Sequence, residues 1–129
     1  MGSYDGVLKK FPRTEFIHQV NLGRGHCFRA LGAFKDALET YQSLVKSTET
    51  VEAAGALLGL GYCHYAQGQY KDAAKAFLKV DILYGYEDLK PEAIHMLDES
   101  WKKAGDIPKA KKYREELRNR YPNSKFAKE

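Results

Sequence analysis

Reactive residues rarely come in groups in this sequence. Two cysteines, Cys27 and Cys63, are too few and too far apart for a disulfide framework, and without a Cys-x-x-Cys pair the usual zinc and thiol-redox motifs are missing. No apolar stretch approaches the roughly 18 to 20 residues that a membrane-spanning helix requires. Met1-Gly2 is followed by Gly6 where an N-myristoylation signal needs Ser or Thr. Strand signals are missing too: there is no sustained alternation and little clustering of Val, Ile and Thr. Neither a nucleophile elbow nor a phosphate-binding loop occurs. An enzyme is therefore not expected in these 129 residues, and no cofactor or metal is implied.

Charge is present but uneven. The net +4 hides 11 basic and 13 acidic residues in positions 1–100, net −2, and 10 basic against 4 acidic in positions 101–129, net +6. The basic run, with Lys102, Lys109, Arg114, Arg118 and Arg120, could attract an acidic partner. Only Tyr113 and Tyr121 interleave aromatics with it, so it reads as a solvated last helix and nucleic acid is not an expected partner.

What the sequence does have is self-similarity. Gly25, Phe28, Gly32, Phe34, Ala37, Tyr41 and Leu44 return 36 places later as Gly61, His64, Gly68, Tyr70, Ala73, Phe77 and Val80. A further 37 places lead to Trp101, Gly105, Ile107, Ala110 and Leu117. Phe11-Pro12-Arg13-Thr14-Glu15-Phe16 likewise returns as Tyr121-Pro122-Asn123-Ser124-Lys125-Phe126, three units away. A period between 20 and 50 residues marks a stacked repeat protein, which builds a surface rather than an enclosed reaction chamber.

Helical spacing fills each unit. Helices are expected from Thr14 to about Arg29, Phe34 to about Lys46, about Val51 to Ala66, Tyr70 to about Leu83, Pro91 to about Lys103 and about Ile107 to Arg120. Gly32, Gly68 and Gly105 separate the members of each pair. The fold class is all-α, with three helical hairpins stacked in one direction. The expected divisions of this single domain are the tail of a preceding unit at 4–13, repeats at 14–47, 50–86 and 90–122, and the start of a following unit at 123–129. Such a chain reads as a segment of a longer protein, with Met1-Gly2-Ser3 an expression leader. Cys27 and Cys63 hold equivalent places, where each is expected to pack as a small hydrophobe.

These residues resemble the tetratricopeptide repeat (TPR): a Gly, a Tyr three later, a Gly at the turn, an aromatic, an Ala, a large residue and a small or aliphatic one. Gly61, His64, Gly68, Tyr70, Ala73, Phe77 and Val80 carry the pattern, as does the first unit; the third departs from it with Asp98 at the first glycine and Arg114 at the large residue. The resemblance implies a right-handed superhelix and a non-enzymatic scaffold that binds a protein or peptide partner. Alternatives are self-association of the array through its ends, or a regulatory segment fused to a catalytic or DNA-binding part elsewhere. The 36 to 37 residue spacing and the aromatic-Pro-x-Ser/Thr-x-Phe connector look like bacterial envelope members, such as those beside the Tol-Pal system or the outer-membrane assembly machine, which favours the periplasm or envelope, with the cytoplasm as the alternative.

In this family the first helix of each unit lines a concave groove. The groove positions become Gln19, Leu22, His26 and Arg29, then Leu58, Tyr62 and Tyr65, then Glu92, His95, Glu99 and Lys102. Members that grip a terminal carboxylate use Lys and Asn, where Leu22, His26, Leu58 and Tyr62 stand here. Other constellations dissolve on inspection. Glu92, His95 and Glu99 are similar to the Glu-x-x-His units of di-iron bundles, but no second such unit exists. His26-Cys27 and Cys63-His64 are adjacent residues that point about 100° apart on a helix and cannot share an ion. Gly23-x-Gly25 and Gly59-x-Gly61 lie inside expected helices and follow no strand, so they fit close helix approach better than dinucleotide binding.

Overall fold

The computed structural model describes residues 13–128, with side chains from residue 16 onward. Six helices occupy them: α1 (Arg13–Ala30), α2 (Phe34–Ser47), α3 (Val51–Ala66), α4 (Tyr70–Leu83), α5 (Lys90–Lys103) and α6 (Ile107–Arg120). No strand occurs among the described residues.

The three hairpins close in one way. Gly32, Gly68 and Gly105 adopt φ of 79°, 78° and 89°, a left-handed conformation that a Cβ would strain. The residue after each glycine then donates its amide back across the helix end: Ala33 N to Phe28 O at 2.8 Å, Gln69 N to His64 O at 2.8 Å, and Asp106 N to Trp101 O at 2.9 Å. The helix starts are less uniform. Asp106 caps α6 by accepting from Lys109 N at 3.2 Å, and Pro108 takes a first-turn place that needs no amide donor. Thr50 stands at the N-cap of α3, but its hydroxyl accepts from Thr48 Oγ1 at 3.0 Å and makes no side-chain cap.

Each helix packs on the next in sequence, and α1 also packs on α3. Such serial contact makes a superhelical stack of hairpins rather than a closed bundle. Ala37, Ala73 and Ala110 have no exposed surface, so paired helices approach closely there. Tyr41 and Phe77, also fully buried, fill the spaces left between helices. A Cβ on Gly25 would lie 2.5 Å from Tyr41 Cε1, and Gly59 faces the same ring from α3, so Tyr41 is held between glycines of two successive units.

One expectation is corrected. Cys63 is buried, but Cys27 is exposed, because no described helix covers the outer side of α1. The residues expected to begin a following unit form a run of turns through Lys128, with Ser124 N donating to Tyr121 O and Ala127 N to Ser124 O, each at 3.1 Å. The tail expected at 4–13 lies outside the described residues except for Arg13, which opens α1.

Candidate functional site

The first helices of the hairpins, α1, α3 and α5, carry the predicted groove residues, and three of those residues meet across units. The guanidinium carbon of Arg29 lies 4.9 Å from the centre of the Tyr62 ring. That ring stands edge-on to Phe77 at 5.3 Å, and its hydroxyl donates to Glu92 Oε2. One residue from each of α1, α3 and α5 therefore forms a continuous cation–ring–carboxylate line. Burial, reinforced by the bond to Glu92, raises the Tyr62 phenol above its ordinary pKa and keeps it a donor.

A second line runs from groove to core. Nδ1 of His26 lies 2.7 Å from the Tyr41 hydroxyl, with the rings 5.6 Å apart. Partial burial and then the nearby Arg29 charge lower the His26 pKa, while burial raises that of Tyr41 to about 12. Both shifts favour a neutral imidazole facing a protonated phenol.

The other predicted residues divide by accessibility. Gln19 is exposed, whereas Leu22 is half-buried against Gly55, where a Cβ would come within 3.2 Å of it. Leu58 is almost entirely buried and offers little to a ligand. Tyr65 is half-buried edge-on to Tyr70 at 5.2 Å, and burial followed by the Glu99 charge raises its pKa. His95, Glu99 and Lys102 gather farther along, lining a cavity of about 360 Å³ with Arg114, Arg118 and Phe126. The His95 and Phe126 ring centres are 5.3 Å apart.

Sequence reasoning passed over the pair that holds this end of the wall. Arg114 donates from Nε and Nη2 to both carboxylate oxygens of Asp98, each at 3.1 Å. Gly25 and Tyr41, Gly61 and Phe77, and Asp98 and Arg114 are all 16 residues apart, so the ion pair occupies the place of the glycine–ring contact. That common separation was the available signal. Two further residues of the basic segment have partners: Arg120 bonds Asp81 at 3.0 Å and Glu116 at 2.9 Å, and Lys109 Nζ lies 4.2 Å from the Trp101 ring centre. Among the described residues, no group of three or more His, Cys, Asp or Glu is placed to hold a metal ion. No described helix is long and apolar enough to cross a membrane.

Comparison with known proteins agrees with this architecture. Tetratricopeptide repeat models match residues 22–88, more than half of the chain, and residues 99–124. Among solved structures, the TPR domain of Arabidopsis FLU is similar with a TM-score of 0.64 and 26% identity, over 86% of this chain and 99% of that one. No curated protein matches the sequence. Repeats of this kind serve in general as protein-interaction scaffolds rather than catalysts. By its family-model matches, its glycine-closed hairpins and its serial packing, the chain belongs to the tetratricopeptide repeat family.

Proposed function

We propose that the wall formed by α1, α3 and α5 binds a peptide of a partner protein and does no chemistry on it. The observation that carries this reading is the Arg29–Tyr62–Glu92 line. A floor tied across three units is preorganised, so little ordering is left for a ligand to impose. Around it stand Gln19 and His26 on α1, Tyr65 on α3 beside the Glu99 charge, and His95, Glu99 and Lys102 on α5, a polar edge beside an aromatic centre. Peptides selected from a random display library against the chain test it. They are expected to bind at least tenfold more weakly to a Tyr65→Ala, Glu99→Lys variant with unchanged helical content. Undiminished binding would reject this face.

Self-association is the second reading, favoured by Phe16, Ile17 and Val20, which lie exposed along α1. Light scattering that reports a monomer at every concentration would remove it. A role as the regulatory part of a larger protein rests on sequence beyond these residues. The bacterial-envelope assignment rests on the repeat spacing and the Tyr121–Phe126 connector.

A further inference from the structure

The opposite side of the stack carries a groove that the concave reading does not use. It opens between α2 and α4 over the outer face of α3, with a volume of about 480 Å³. Val45, Leu57, Leu60 and Ala76 form its floor, and Lys46, Lys75 and Lys79 stand on its rim with Asp72 the one carboxylate among them. On α4, Asp72, Ala76, Lys79 and Leu83 recur at spacings of four, three and four and so share a helix face. Leu83, one turn beyond Lys79 on that helix face, is 67% exposed.

Arg114 and Arg120 of α6 are engaged with Asp98, Asp81 and Glu116, whereas Lys46, Lys75 and Lys79 make no ion pair among the described residues. An apolar trough edged by unneutralised cations is complementary to a segment that offers carboxylates beside large apolar side chains. The chain's own first residues do not fit that description, since Lys9 and Lys10 outnumber Asp5 there.

We infer that this convex groove is a second docking surface, which takes an acidic, amphipathic segment of a partner protein with its apolar side chains over Val45, Leu60 and Ala76 and its carboxylates on Lys75 and Lys79. The surface stands apart from the α1–α3–α5 wall, so the two can be occupied together.

Amide-resolved NMR titration of the intact chain tests this. The probe is a capped peptide of glutamates spaced around leucine and phenylalanine; one control replaces the apolar residues with glycine and another replaces the glutamates with lysine. The first peptide is expected to shift the amide signals of Val45, Leu60 and Ala76, and the controls to leave them in place. Lys75→Glu with Lys79→Glu should weaken binding at least tenfold, while Lys35→Glu with Lys111→Glu should not. Equal shifts from the glycine peptide would overturn the proposal in favour of general charge attraction, and shifts confined to α1 and α5 would return the peptide to the concave wall. No shift at all would overturn it outright. Concentration-dependent changes at Val45 and Ala76 without peptide would replace the partner segment with a second copy of the chain, and binding to anionic lipid vesicles with no response to the peptide would replace it with a membrane surface.

Discussion

Gly61 and Phe77 are so close that no methyl group fits between them: a Cβ on Gly61 would lie 2.5 Å from Cε1 of the fully buried Phe77 ring. In an open helix, glycine to alanine is worth about 1 kcal/mol in favour of alanine. Overpacking a core typically costs about 1–3 kcal/mol. Gly61→Ala is therefore expected to lower stability by up to about 2 kcal/mol. Gly23→Ala, with nothing within 4 Å of the new Cβ, should raise it by up to about 1 kcal/mol. Urea unfolding of both variants checks the opposite signs, and a shared sign would refute the packing account.

Tyr62 and Glu92 join α3 to α5 through one hydrogen bond. Because both residues are half-buried, a coupling of about 1 kcal/mol is expected between Tyr62→Phe and Glu92→Ala in a double-mutant cycle. Additive effects would mean the bond contributes nothing to the stacking of the two units.

The helices were readable because each unit repeats the same local instructions. A glycine must end the first helix in a left-handed conformation, and an alanine must let the second helix close against it. The helices Tyr70–Leu83 and Ile107–Arg120 lie approximately where these instructions place them. Thr50 shows the limit of the local code, because its hydroxyl had two possible partners and took that of Thr48. The candidate wall was readable as a set of positions but not as an arrangement. Arg29 and Glu92 both scored as groove charges, yet both are spent on Tyr62, and no periodicity records a contact between residues 30 or more places apart.

Ser100 stands 37 places after Cys63, in the equivalent position of the third unit. Its hydroxyl is fully buried and has no hydrogen-bond partner among the described residues. A buried polar group left unsatisfied costs about 1–3 kcal/mol. Ser100→Ala should raise stability by about 1 kcal/mol in chemical denaturation, and Ser100→Cys, which supplies the sulfur that Cys63 buries in the second unit, should do at least as well. A loss in both variants would show that the hydroxyl is satisfied after all.

The His26–Tyr41 pair makes stability depend on pH from both sides. Burial lowers the folded-state pKa of His26, so near its ordinary value of 6.5 the unfolded chain binds more protons and stability falls as the solution is acidified. For Tyr41 the folded value is raised from 10.0 to about 12, so the folded chain keeps its proton longer and stability falls as pH rises between those values. Urea midpoints measured from about pH 5 to pH 8 should rise for the parent and rise less for His26→Gln. Tyr41→Phe should remove the Tyr41 contribution to the alkaline decline. A parent profile flat across both windows would contradict burial of the pair as the source of these shifts.

Asp98 and Arg114 replace, in the third unit, the glycine and aromatic ring that meet in the first two. The Asp98 side chain is 9% exposed and that of Arg114 is 39% exposed, so the carboxylate depends on the guanidinium more than the reverse. The bond to Asp98, followed by its charge, raises the Arg114 pKa, and the arginine stays charged at any accessible pH. Removing one partner of a fully buried pair costs about 3–5 kcal/mol; with Arg114 partly in water, Arg114→Phe alone should cost about 2 kcal/mol. Asp98→Gly alone should also destabilise, because glycine weakens the helix interior and leaves the arginine against an empty space. Asp98→Gly with Arg114→Phe rebuilds the arrangement of Gly61 and Phe77. Since a buried ion pair can be exchanged for well-packed apolar groups at little net change, the double variant should return to within about 1 kcal/mol of the parent. If its unfolding midpoint instead falls by the sum of the two single losses, the equivalence of the three pairs is wrong.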